Sequence, residues 1–333
     1  MVYATVIDRI AEALTCIGAD RGDFMRESSA NPRSQAAMPP PQIREQIHYG
    51  KLSVAERKLV RGARAGILVD LHVGDSGPDV AHGAAWGAER TVRASMLADL
   101  LTGQWAHANG RPRAVRLRGG RITGPLDLQA AEVNCPLLLR DCYLEDPVDL
   151  SDATAPAIRL PGCHLPAFTA AQLRTTGNLE LNDGATMHGE VSVAGARIGG
   201  QLDLSGATLT NPGGRALFAD LITVEHSMLC RHGFTALGEV RIAGARIGGR
   251  LNFSGATLIN PGGQALCADG LNAEYGILGE DGFTALGEIS TVHARIGGRL
   301  DLRGANLANP GGNALDLRAA TISALLLPEQ RPD

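Results

Sequence analysis

The chain has 333 residues, 44% of them hydrophobic but only 4% aromatic, with 42 glycines, 17 prolines and a formal net charge of -4. That balance excludes a nucleic-acid binder held by a basic surface, and it excludes a strongly acidic polymer. It also excludes a conventional core built on rings that each bury roughly 150–250 Å², so the interior must be assembled from small aliphatic side chains.

Lysine occurs only at Lys51 and Lys58, which reads as the coding bias of a GC-rich genome. The six cysteines, Cys16, Cys135, Cys142, Cys163, Cys230 and Cys267, form no Cys-x-x-Cys pair and show no zinc spacing. They read as small hydrophobes in a reducing cytoplasm. Met1 to Gly18 carries Asp8 and Glu12 and lacks a basic start, so no signal peptide is expected. No apolar run reaches the roughly 18 residues that a membrane span needs.

In chain order, residues 1–45 read as an N-terminal helix, Val6 to Ile17, followed by a mobile linker with Pro32, Pro39, Pro40 and Pro41. Residues 46–112 read as an α-helical capping region. Ser53-x-x-Glu56 has the form of a capping box opening a helix through Ala65. Ile67 to Leu71 has the pattern of a strand, and Ala88 to Leu101 that of a second amphipathic helix after Trp86. These elements are expected to close the open end of the repetitive region beyond residue 112, because a bare terminal coil would expose its core and unpaired strand edges.

Residues 113–328 are repetitive, and 329–333 form a tail. Ala196-Arg197-Ile198-Gly199-Gly200 recurs at Ala245 and Ala294, and Asn211-Pro212-Gly213-Gly214 recurs at Asn260 and Asn309, each at a 49-residue interval. Phe234 to Glu239 recurs at Phe283 to Glu288 at the same interval. Within the unit runs a finer beat of apolar, polar, apolar triplets, among them Leu126-Asp127-Leu128, Val148-Asp149-Leu150, Leu179-Glu180-Leu181, Leu202-Asp203-Leu204, Leu251-Asn252-Phe253 and Leu300-Asp301-Leu302. Each triplet is a very short strand with its outer members inward. Strands so short are stable only when each pairs with the coil above and below. The expected fold is therefore mainly β, a parallel β-helix of roughly nine coils and about 40 Å at the usual strand spacing. The 49-residue unit makes two coils, with Phe234 to Glu239 read as a corner.

Ala219-Asp220-Leu221 and Ala305-Asn306-Leu307, with looser matches at Ala207-Thr208-Leu209 and Ala256-Thr257-Leu258, resemble the pentapeptide-repeat proteins. That resemblance implies a right-handed quadrilateral parallel β-helix. This chain departs from it, since strict fives are broken by the Asn-Pro-Gly-Gly insertions. Trp86-Gly87-Ala88-Glu89-Arg90 ahead of such repeats is similar to an actinobacterial group with an N-terminal helical cap. Some of that group carry an oxidoreductase label, for which this chain offers no residue basis.

Glycines recur at corners with no helix behind them to receive a pyrophosphate, and Gly-Lys-Ser/Thr and Gly-x-Ser-x-Gly are absent, so no cofactor is expected. No two of the nine histidines share a metalloprotease spacing, and no metal site is expected. Asp70, His72, Trp86, Glu89 and Arg90 are the candidates to line a pocket between cap and first coils. The outward row Asp203, Leu229, Asn252, Leu278, Asp301 is the candidate interaction face, and its interruption by leucines argues against adjoining carboxylates of a glycosidase type. The expected function is a non-catalytic cytoplasmic scaffold binding a partner protein through a flat solenoid face, with a DNA-mimic modulator of a topoisomerase, or a resistance factor, as the sharper version. The alternative is an enzyme of small-molecule metabolism with its pocket at the cap. Direct nucleic-acid binding and membrane association are not expected, and a homodimer is left open.

Overall fold

A computed structural model describes residues 52–72, 80–104 and 111–328. The expected helix Val6 to Ile17, the proline-rich linker, Trp105 and the tail lie outside these residues. The compact unit that begins at Ser53 is mainly β, with 42% strand and 10% helix, and winds as a parallel β-solenoid of about nine turns.

Each coil has four faces. In the first coil they begin at Val115–Arg118 (face 1), Arg121–Thr123 (face 2) and Leu126–Asp127 (face 3), with face 4 opening at Glu132, which bridges Thr154 in parallel. Every later strand pairs in parallel with its equivalents one coil before and after. Leu137, Ile158, Leu179, Leu202, Met228, Leu251, Ile277 and Leu300 stack on face 1 in one inward column, each at most 3% exposed. Burying one such side chain contributes roughly 1.5–3 kcal/mol. Outward on face 2, Thr186, Thr208, Thr235, Thr257 and Thr284 stand in register, cross-strand pairs of a kind that helps hold alignment.

The 49-residue unit is two unequal coils. Met228 to Leu251 takes 23 residues and Leu202 to Met228 takes 26, the longer one carrying Asn211-Pro212-Gly213-Gly214. The loop is pinned by Asn211 Nδ2, which donates to the Arg215 carbonyl at 2.9 Å, and its copies do the same from Asn260 and Asn309 at 2.8 Å. Phe234 to Glu239, expected as a corner, makes the turn from face 2 to face 3 without interrupting the strand. Thr235–Arg241 is one extended strand that spans faces 2 and 3. It bends at Gly238, with φ 123°, beneath the preceding loop, where a Cβ would fall 2.8 Å from the Gly214 carbonyl oxygen. Gly287 repeats this approach under the next loop, 2.9 Å from the Gly263 carbonyl oxygen.

The interior does admit rings. Phe168, Phe234, Phe253 and Phe283 are among the largest fully buried side chains. Phe253 and Phe283 lie in successive coils with centroids 5.8 Å apart. Their coil partners are small. Phe253 shares its corner with Ala256, and Phe283 shares its corner with Gly279, where a Cβ would meet the Phe283 ring at 2.8 Å and Leu302 at 2.9 Å.

Before the first coil, α1 (Val54–Ala65) starts at the expected capping box, with Ser53 and Glu56 bonded reciprocally, and stops at Gly66. The expected strand is short, β1 (Val69–Asp70), and extends face 1 by pairing with Leu117 and Arg118. The expected helix from Ala88 begins later, as α2 (Ala94–Leu101). Thr91–Arg93 is instead strand β2, because its backbone pairs with Arg121–Thr123 and extends face 2. Both helices pack on this first coil, α1 against face 1 and α2 against faces 1 and 3.

Gly279→Leu is expected to destabilise the protein by about 1–3 kcal/mol through overpacking, and Phe283→Ala by about 3–5 kcal/mol through the cavity it leaves. The double variant, which restores the summed volume, should recover part of the loss in urea denaturation.

Candidate functional site

Of the five residues expected at the junction, Arg90 and the His72 backbone meet at Gly119. The Arg90 Nη2 atom and the His72 amide nitrogen each lie 3.1 Å from the position a Gly119 Cβ would take. The backbone placement follows from β1 and β2, whose pairing brings Asp70 and the turn before Thr91 to the ends of faces 1 and 2. Arg90 is 8% exposed, its guanidinium lies over the Trp86 ring at 3.4 Å, and its Nε donates to the Gly119 carbonyl at 2.7 Å. Burial pulls its pKa down, against the opposing charges of Glu89 and Asp70. Nη2 is buried without a hydrogen-bond partner.

The other four are more open. Asp70 is exposed, accepts from the His72 amide at 2.9 Å and pairs with Arg118 at 3.4 Å. His72 and Trp86 are half-buried and Glu89 is exposed. Glu89 and Arg90 sit in a turn ahead of α2, outside the helix expected to start at Ala88. The Trp86 carbonyl accepts from Arg121, which also pairs with Glu145. Sequence reasoning saw Glu56 as a cap and missed its second partner: Arg93 donates to it from Nε at 2.7 Å and from Nη2 at 2.8 Å. Burial raises the Glu56 pKa, and the bonds from Arg93 and from the Ser53 amide more than offset it, leaving the group below its usual value.

On face 1 the outward residues fall in the expected order. Glu180, Asp203, Leu229, Asn252, Leu278 and Asp301 pair one coil at a time. Leu229 and Leu278 occupy outward positions, yet are only 9% and 8% exposed. The carboxylates do adjoin in two places, contrary to expectation: Glu180 beside Asp203 on face 1, and Asp127 beside Asp149 on face 3. Coil length, invisible in a list of triplets, brings them together.

Most of these acids shape corners. Asp127, Asp149, Asp203 and Asn252 each accept, through Oδ1, the amide two residues on, at 3.0, 2.8, 2.9 and 2.8 Å. This Asx turn closes the strand, and a short side chain with an acceptor oxygen is what it requires.

Asp301 goes further. It is fully buried, receives Arg303 Nη2 at 2.7 Å and Nε at 2.9 Å, and pairs with Arg299 at 3.2 Å. The Arg303 hydrogen bonds hold its carboxyl well below the usual aspartate range, and the neighbouring Glu280 is pushed up, first by its contact with Asp301.

Face 2 holds a group the histidine spacings did not reveal. Tyr143 and His164 stack at 5.0 Å with rings 6° from parallel, and His188 leans on His164 at 4.9 Å. One coil separates each from the next, so the signal was the coil period. Burial, then the His188 charge, lowers the His164 pKa.

Among the described residues, no group of three or more His, Cys, Asp or Glu is placed to hold a metal, and no helix is long and apolar enough to cross a membrane. Comparison with protein-family models, curated proteins and solved structures returns no match. The geometry itself defines the class: a β-helix repeat protein of the parallel solenoid type.

Because Asp301 has a depressed pKa in the folded state, its contribution is present above the unfolded value near 4 and is lost as pH falls through the lower folded value. Thermal melts from neutral to strongly acid pH should show wild-type stability declining below about pH 4. Asp301→Asn should lower stability at neutral pH and flatten that decline.

Proposed function

We propose that the protein is a non-catalytic scaffold that binds a partner protein along a flat side of the solenoid. The observation that supports this reading is the register of face 1, where one outward side chain per coil runs unbroken from Arg159 to Asp301. Stacked coils offer a partner an extended surface whose chemistry changes one coil at a time. A mimic of duplex charge acting on a topoisomerase is the finer version. It draws on Glu180, Asp203 and Asp301, but leucines interrupt the row and arginines neutralise Asp301, so the general reading is the better supported. Cytoplasmic residence belongs to the proposal. Cys135, Cys142, Cys163, Cys230 and Cys267 are buried free thiols, and burial raises the pKa of Cys135, Cys163, Cys230 and Cys267, as suits packing groups.

A photo-crosslinking residue placed at Asn252 on face 1 should capture one dominant protein in cells, while the same residue at Thr235 on face 2 captures none. Capture at neither position, or equally at both, counts against the reading. For the finer version, purified protein at micromolar concentration should alter topoisomerase supercoiling, and no effect removes it.

The orphaned Arg90 Nη2 beside Trp86 favours one second reading, an enzyme of small-molecule metabolism that takes an anionic ligand at this corner. Titration with inorganic phosphate or acetate should then quench tryptophan fluorescence in the wild type and not in Arg90→Met. Equal responses in the two proteins dismiss it.

A further inference from the structure

Face 4 carries a charge pattern that the triplet pattern did not reach. Its outward column reads Arg174, Arg197, Thr223, Arg246, Asn272, Arg295, Thr321, one residue per coil in parallel register. All four arginines are exposed, and none makes an ion pair among the described residues. Arg197, Arg246 and Arg295 are copies of one position in the 49-residue unit, so they recur every second coil, about 9.6 Å apart at a strand spacing of about 4.8 Å.

A second column lies two residues further along each strand. There the arginine coils have Gly199, Gly248 and Gly297, and the coils between them have Glu225 and Glu274, both exposed. The face thus has a positive column and a negative column side by side, offset by one coil, with glycine level with Arg197, Arg246 and Arg295, and with Thr223 and Asn272 level with the glutamates. One apolar side chain stands at each edge. Leu221, two residues before the arginine column, is 70% exposed, and Tyr275, one residue beyond the glutamate column, is 64% exposed. These are the two most exposed large hydrophobic side chains among the described residues.

We propose that face 4 is a self-association surface that docks a second copy of this chain, side by side and pointing the same way. A two-fold axis parallel to the solenoid axis, placed between the two columns, reverses left and right while keeping height. It lays the arginine column of one copy over the glutamate column of the other. Each glutamate then falls midway between two arginines, about 4.8 Å above one and below the next, within reach of a flexible guanidinium. The same operation brings the two edges together, with Leu221 and Tyr275 two coils, about 9.6 Å, apart in height. Such self-complementarity is what an isologous interface demands. A uniform polyanion, by contrast, would meet Glu225 and Glu274 as repulsion. The face is about 30 Å tall over its seven coils, a small interface, so the dimer is expected to be weak and sensitive to salt. This inference is independent of the partner reading, which concerns face 1.

Light scattering and sedimentation velocity on the full chain test it. In low salt the wild type should weigh twice the chain mass at high concentration and shift to monomer in high salt. A variant with Arg197→Glu, Arg246→Glu and Arg295→Glu should be monomeric, as should one with Glu225→Arg and Glu274→Arg. An equimolar mixture of the two variants should form a heterodimer, since a face that is negative from Arg197→Glu to Arg295→Glu then meets an all-positive one. That rescue also shows that both variants are folded. A wild type that is monomeric throughout, a dimer unaffected by either reversal, or a mixture that does not associate overturns the proposal. So does a wild type that binds heparin or DNA through these arginines without dimerising.

Discussion

Everything in this fold depends on one constraint: an inward side chain must rest directly on its equivalent one coil away, about 4.8 Å along the axis. There is no second layer to absorb a misfit. Volume is therefore balanced within each coil and between neighbours, as Phe283 opposite Gly279 and Phe253 opposite Ala256 show. A ring enters only where its coil partner is small. The same constraint explains the low aromatic content better than an outright exclusion of rings, since each Phe requires a compensating position nearby.

The constraint extends to the corners. A coil must turn four times with few residues, and the Asx turns at Asp127, Asp149, Asp203 and Asn252 show how. Carboxylates that resemble a functional series in sequence are thereby given a structural reason. The Asn-Pro-Gly-Gly loops add residues to every second coil, and Gly238 and Gly287 let the intervening coil pass close beneath them. Long and short coils are thus a matched pair, which is why the unit of duplication is two coils.

Duplicating a two-coil unit also prints its surface every second coil. On face 1 this places Leu229 and Leu278 among polar neighbours, and on face 4 it alternates arginine with glutamate in adjoining columns. Surface patterns of this kind arise with the repeat itself, and an interface that reads them can grow one unit at a time.

Much of the fold was legible in the sequence. The 49-residue interval and the apolar triplets sufficed for a parallel solenoid of about nine coils, and Ser53-x-x-Glu56 marked the start of α1. These signals are local, set by backbone alternation and capping chemistry. Coil length, by contrast, depends on how corners and loops close in three dimensions, and coil length decides which side chains stack. Only the tertiary structure could therefore bring His164 to His188, set Glu180 beside Asp203, turn Thr91–Arg93 into a strand against Arg121–Thr123, and align Arg197, Arg246 and Arg295 beside Glu225 and Glu274. The sequence by itself determined the repeat and the inward aliphatic pattern; the stacking of coils, through their lengths, decided every contact between residues a coil apart.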